Sequence, residues 1–552
     1  MARTWWPIRA GRASEAGGPG RTGGENPCLL FYVAPSVLAV GLVTLAVAVP
    51  EAQSVAPSAA ACAALTKLSL PQVTVTSAAL VATGEMPPAP ARGGGPGPAR
   101  AANPFADLPA VCRVAATLRP SADSDIKMEL WMPATWNGKF KGTGNGGLGG
   151  GAGANVTALA AGVRRGYATA GHNTGHDGDS SYALDHPERI KDFGYRATHE
   201  MTVTSKALIR AYYGKPPAAS YMAEGGGGTI AALSSAQRYP DDYDTLAVTG
   251  MSSYLTRHTF AQMWIWMATH KDAASFLPPG TFAVLHDAVL AACDDGDGLK
   301  DGVVGDPIGC RFDAGSVQCK EGGPAACLTP PQVEAARKIY QGPRHARTGA
   351  ELYSPLFPGS ELGWGQLAGG DQPLGIPVEF FKYYVLRDPA WDYRTRPLDF
   401  DHDVTASDRP DIQAVNAVDP DLRRFFARGG RLLLVDGWND AAVPPKVAIN
   451  YYNKVVATVG ERPTRQSLRF FMVPGMGHGP GTGGAENFDF DALALIEQWK
   501  ESGAAPDALT VAHYKDGQRV GARLVCQYPR VAFYRGGGQN PETPSSFECR
   551  SK

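Results

Sequence analysis

Between residues 219 and 238 a short apolar strand, four consecutive glycines and a helix succeed one another with no spacer. Ala219–Met222 runs through Glu224-Gly225-Gly226-Gly227-Gly228 into a helix expected over Thr229–Arg238. A backbone turns from strand to helix that tightly only where side chains are absent or φ is positive, so the turn commits strand and helix to one packed unit. The same grammar occurs upstream: a strand over Lys127–Met132, a turn at Trp136–Phe140, a glycine loop over residues 142–151, a strand at Tyr167–Ala170 and a helix from about Thr198 to Tyr213. Past Met251 the pattern turns irregular and cysteine-rich until about Ala414. It resumes with a strand at Arg431–Val435, a helix over Lys446–Val459, a strand at Leu468–Val473 and a closing helix over Phe488–Ser502. Strand, tight turn and helix in repetition predict a doubly wound α/β sheet, and a sheet interrupted and then resumed predicts one domain with a large inserted lid.

The expected organisation is an export segment over residues 1–52, an N-terminal arm over 53–110, a first core part over 111–250, a lid over 251–414 and a second core part over 415–552. Arg3, Arg9, Arg12 and Arg21 precede an apolar run from Leu29 to Val49, the order of a signal peptide; an uncleaved anchor is the alternative, and the only route to a membrane. Lys+Arg 52 against Asp+Glu 53 gives no field to draw nucleic acid. Cleavage removes Cys28 and leaves eight cysteines. In an exported chain, periplasmic or secreted, their local spacing invites the pairs 62–112, 293–310, 319–327 and 526–549 out of about a hundred possible connectivities.

Two strand ends in the second core part carry catalytic residue types. Asp440 follows one buried strand and His478 sits in a glycine loop after the next, the order of acid and histidine in an α/β-hydrolase. A carboxylate there orients the imidazole and stabilises its protonated form. The nucleophile belongs on the earlier strand-to-helix turn, at the centre of Gly-x-Ser-x-Gly. That turn has no serine: its centre is Gly226, and Ser234 and Ser235 lie about two turns further on. His172, His176 and His199 read as structural histidines, because the His-x-x-x-His spacing falls in a loop rather than on a helix.

From about Cys62 to the C-terminus the chain resembles the tannase and feruloyl-esterase family, which also holds enzymes cleaving aromatic monoesters of terephthalate. The resemblance rests on Trp136-Asn-Gly-Lys-Phe140, the glycine loop 142–151, Ala236-Gln-Arg-Tyr-Pro-Asp-Asp-Tyr-Asp244, Cys293-Asp-Asp-Gly-Asp-Gly298, Gly437-Trp438 and Phe471-Met-Val-Pro-Gly-Met-Gly-His478. It implies an α/β-hydrolase fold with a large inserted lid domain. Counted back from Gln237, the family's Gly-Cys-Ser-x-Gly falls on residues 224–228, so its serine maps to Gly226. The family's disulfide between nucleophile and histidine loops maps to Gly225 and Gly479, and Asp436 stands where the family usually has histidine.

The resemblance further implies oxyanion donors at Gly146 or Gly147 and at Gly227. It implies a structural calcium ion held by the side chains of Asp294, Asp297 and Asp301 and the carbonyls of Leu299 and Val303. Recurrent carboxylates spaced by glycines suit that hard cation independently. Phe380, Phe381, Tyr383, Tyr384 and Trp391 read either as a wall against an aromatic acyl group or as lid core. Two functions follow. One is a hydrolase of aromatic carboxylic esters in which His478 with Asp440 activates water, or Glu224 serves as base or nucleophile. The other is a pseudoenzyme that binds a small aromatic ester or acid without cleaving it.

Overall fold

The computed structural model describes residues 58–87, 103–144, 146–148, 156–322, 326–484 and 486–551. The export segment, Cys28 and nearly all of the Pro/Gly-rich stretch from Pro87 to Arg100 lie outside these residues.

The core is a nine-stranded sheet: β1 (Val73–Val81), β2 (Val111–Leu118), β3 (Ile126–Pro133), β4 (Lys139–Gly142), β5 (Ala168–His172), β6 (Ala219–Gly225), β7 (Thr245–Thr249), β8 (Arg431–Gly437) and β9 (Leu468–Val473). Their spatial order is β1-β2-β3-β5-β4-β6-β7-β8-β9. The first three strands pair antiparallel, β3 meets β5 antiparallel, and from β5 to β9 every pair is parallel. Strands covered on both faces read as continuous apolar runs, which is why β7 and β8 are buried almost throughout. Ligand sites in such sheets form beyond the carboxyl ends of the parallel strands. The elbow follows β6, the acid follows β8 and the histidine follows β9, so all three fall on that edge.

The 53–110 region contributes more than an arm. Val73–Val81 is the edge strand of the main sheet, and Met86, Phe105 and Leu108 pack with Trp131 against the helix Val156–Arg164. Between β7 and β8 the described chain adds no strand to the main sheet; the helices Leu255–Thr269, Pro279–Cys293 and Pro330–Gln341 build a separate apolar core there. After β9 the expected closing helix is shorter than its sequence pattern. Glu486–Asp489 is a strand, β10, and the helix starts at Ala492 because the Asp491 side chain caps it by accepting the Ala494 N–H. β10 pairs with β11 (Ala508–Lys515) and β12 (Gln518–Cys526), and β13 (Val531–Tyr534) pairs with β14 (Phe547–Arg550). All four proposed disulfides are present: Cys62–Cys112, Cys293–Cys310, Cys319–Cys327 and Cys526–Cys549.

Candidate active site

β6 ends in Gly225 with extended backbone, and Gly226 takes φ +55° before a short turn leads into the helix Thr229–Arg238. A left-handed residue between strand and helix is the strained geometry of a nucleophile elbow. The Thr229 hydroxyl fixes the turn, donating to the Gly226 carbonyl at 2.6 Å and accepting the Ser252 N–H at 3.0 Å. Ser234 and Ser235 are buried and donate to backbone carbonyls of Gly194 and Ala231, away from the turn.

His478 comes to this turn from the β9 loop. Its Nδ1–H donates to Asp440 Oδ2 at 2.8 Å, and Asp440 is itself held by the N–H groups of Ala442 and Val443, at 2.8 and 2.9 Å, on Oδ1. With Nδ1 so engaged, Nε2 faces Gly226: a Cβ built on that glycine would lie 2.7 Å from it. Burial works against protonation of His478, but the charge and hydrogen bond of Asp440, with Asp436 behind it, outweigh burial and raise its pKa. Asp436 is buried and pushed up to about 8, by burial first and by the like charge of Asp440 second, although its Oδ1 accepts the Met251 N–H at 3.0 Å.

The glycine loop reaches the same place. The Gly147 nitrogen packs so closely on Gly227 that a side chain at 227 has no room. His176 steadies this loop through the Leu148 carbonyl at 3.2 Å while stacking on Tyr182. His172 and His199 are likewise bonded within the fold, to Thr198 and Asp242. The Gly147 nitrogen and the Gly227 backbone therefore lie side by side, one residue on from Gly226, which His478 faces. Gly146 packs with them.

Two expectations are corrected. Glu224 does not engage the imidazole: its Oε1 accepts the Gly144 N–H at 2.9 Å, its Oε2 lies against Gly228, and Lys141 on β4 is its charge partner. Burial pushes its pKa up to about 7, and its carboxyl oxygens are taken up in bracing the glycine loop against the elbow. Trp391 is lid core, 3 % exposed, with its indole N–H on the Arg396 carbonyl and its ring beside Phe381; Phe380, Phe381 and Tyr384 are fully buried, leaving no aromatic face of theirs for a ligand. The spacing missed Thr249, whose hydroxyl would lie 3.0 Å from a Cβ on Gly225 and 3.9 Å from one on Gly479. It missed His258 as well, a buried imidazole bonded to the Ala442 carbonyl at 2.8 Å in the acid loop. A threonine ending a strand and a histidine inside a helix carry no motif to reveal them.

In the lid, Asp294 accepts the N–H groups of Asp301 and Gly302, Asp297 that of Leu299, and Asp301 that of Val303, while the Arg523 guanidinium donates to Asp301 at 2.7 Å. Burial, then the like charges of Asp301 and Asp294, drive Asp297 up to about 7. Three mutually repelling carboxylates against one guanidinium fit a divalent cation in charge and donor type. Among the described residues no three acidic, histidine or cysteine side chains alone form a metal cage. The carbonyls of Leu299 and Val303 would have to complete one.

A model of the family described as "Tannase and feruloyl esterase" matches residues 112–550. An uncharacterized esterase of Xanthomonas campestris pv. campestris is 34% identical over 560 residues, covering 93% of this chain and 95% of its own length. A probable feruloyl esterase B-2 of Aspergillus terreus is 31% identical, over 80% of this chain and 86% of its own. The crystal structure of feruloyl esterase B from Aspergillus oryzae superposes with a TM-score of 0.79 at 27% identity, over 89% of this chain and all of that one. Tannin acyl hydrolase from Aspergillus niger shares the fold at a TM-score of 0.69, 19% identity and 88% coverage of this chain against 92% of its own. With the family model spanning most of its length, this chain belongs to the tannase and feruloyl esterase family, an α/β-fold group of carboxylic ester hydrolases.

Proposed function

We propose that the protein hydrolyses esters of aromatic carboxylic acids with water as the direct attacking group, at a site whose nucleophile position is Gly226. The observation that carries this reading is the Asp440-held imidazole, whose Nε2 faces a glycine. Glycine offers no atom to acylate, so the attacking oxygen has to come from water, activated by the imidazole. Nε2 takes a proton from that water as its oxygen bonds to the acyl carbon. The carbonyl oxygen becomes an oxyanion beside the N–H groups of Gly147 and Gly227. Collapse breaks the bond to the alcohol, and the proton on Nε2 passes to the leaving oxygen, giving acid and alcohol.

A second reading, a binder of aromatic esters or acids without turnover, is favoured by one observation. Among the described residues no hydroxyl partners Nε2, whose imidazole bonds only to Asp440. Incubating the purified protein with gallate, ferulate and nitrophenyl esters separates the two: acid released in proportion to enzyme and abolished in His478→Ala supports hydrolysis, whereas saturable binding with no release supports the binder.

Two further properties belong to this proposal. The lid loop holds calcium through Asp294, Asp297, Leu299, Asp301 and Val303, as a structural ion outside the chemistry. The protein is exported, in keeping with four disulfides, which persist in oxidising compartments.

A further inference from the structure

A cavity of about 450 Å³ opens beside His478 and is lined by none of the elbow residues and none of the Gly146–Leu148 loop. His478 and Asp440 line it from the sheet, and His286, on the lid helix Pro279–Cys293, lines it from the insertion. His286 repeats the construction of the catalytic histidine. Its Nδ1 pairs with Glu361 Oε2 at 3.0 Å, and Glu361, fully buried, is fixed further by the Tyr340 hydroxyl at 2.7 Å and the Gly359 N–H at 2.9 Å. Because a buried, doubly anchored carboxyl group pairs with Nδ1, the ring is held in one orientation, and Nε2 has no partner among the described residues.

The lining identifies what Nε2 meets. Seven glycines line it, Ser360, Gln366, Asn439, Thr482 and Glu486 add polar groups beside the aliphatic Val303 and Leu362, and there is no Phe, Tyr or Trp. Such a surface offers hydrogen bonds and no aromatic contact, so it does not suit the aromatic acid. Position agrees. The imidazole whose Nε2 faces Gly226, and which under the ester reading protonates the leaving oxygen, lines the same cavity as His286, so a group attached to that oxygen would have this cavity beside it.

We propose that His286, braced by Glu361, is a specificity-determining residue that hydrogen-bonds a hydroxyl on the alcohol half of the ester, so that esters of hydroxyl-bearing alcohols bind better than alkyl esters. This rests on the ester reading above, and the test separates the two. Protein labelled with ¹⁵N in its histidine rings is titrated with glycerol monoferulate and with methyl ferulate. Both esters are expected to move the His478 resonances, and only the glycerol ester those of His286. His286→Leu should weaken the glycerol ester about tenfold and the methyl ester less than about twofold, with His286→Gln restoring most of the loss through its amide. Equal weakening of both esters, or a response at His478 with silence at His286, overturns the assignment while leaving the ester reading intact. A response at His286 alone supports the cavity site and sinks the ester reading; silence at both histidines sinks both.

Discussion

His478 Nε2 lies 2.7 Å from where a Cβ on Gly226 would stand, so the histidine faces the elbow residue with no side chain between them. Asp440 fixes the imidazole from behind, and the left-handed φ of Gly226 keeps the turn in the form that would aim a side chain at it. The apparatus for activating a hydroxyl is therefore assembled around a residue that lacks one.

Ionisation of His478 gives the first prediction. Its pKa is raised, against burial and chiefly by Asp440, so its midpoint should lie above the ordinary histidine value and its proton-accepting form should grow as pH rises through that midpoint. The sign for stability is the reverse: the His478–Asp440 pair contributes fully below the ordinary value and is lost as pH rises through the raised one. Asp440→Asn should bring the midpoint down. Asp436→Asn should bring it down less, because the Asp436 charge is the smallest of the contributions that raise it and burial pushes the Asp436 carboxyl up to about 8. Ring-resonance titration of the three proteins checks this; equal shifts in both variants would show Asp436 ionised beside His478.

Removal of calcium should lower the melting temperature, since an ion bound only by the folded chain stabilises it by mass action. Asp297→Asn should abolish both the bound calcium and the response to chelator. Elemental analysis finding no calcium, with an unchanged melting curve in chelator, would refute the lid site.

Thr249 alters what is expected of a bridge between positions 225 and 479. Its hydroxyl is within contact of a Cβ at either site, so Gly225→Cys with Gly479→Cys has to place sulfur where the threonine stands. The double variant should oxidise incompletely, and adding Thr249→Ala should let the bridge close, with up to ~4 kcal/mol of stabilisation for so long a loop. Non-reducing mass analysis reads the outcome. A triple variant that stays reduced while the four native bridges form would show that these loops are not neighbours.

Export makes a separate prediction about thiols. A mature chain cleaved after the apolar run has four bridges and no free thiol, whereas a retained anchor leaves Cys28 as the one odd sulfur. Alkylation under denaturing, non-reducing conditions should add no label to protein purified from its exported fraction. One label per chain would mean the anchor is kept.

What the sequence made legible was whatever its pattern forces locally. Four glycines between strand and helix are the elbow, and the continuous apolar run within Arg431–Val435 marks β8 because both of its faces are covered, whereas β7, bounded by threonines, was not read. The local cysteine couples are the four bridges. Glu224 was misplaced because its nearness to the elbow in the chain says nothing about Lys141 and Gly144, some eighty residues earlier, which hold its carboxylate. Trp391 was ambiguous because a ligand wall and a lid core use the same aromatic residues, and only burial separates them. The small C-terminal sheets escaped notice although β11 and β12 are long and joined by the tight turn Asp516-Gly517; only the short β10 depends on pairing distant in sequence, as with Phe488 stacked on His513.

The central claim is that Gly226 stands at the nucleophile position of an otherwise assembled site. Labelling by a fluorophosphonate, which reacts with an activated serine, tests it most directly when wild type and Gly226→Ser are treated side by side. The wild type should take no label at the elbow, and Gly226→Ser should be labelled at residue 226, dependent on His478, once the imidazole moves back from a Cβ that would otherwise lie 2.7 Å from Nε2. Labelling of another residue in the wild-type pocket, or a folded Gly226→Ser that stays unlabelled, would contradict the account.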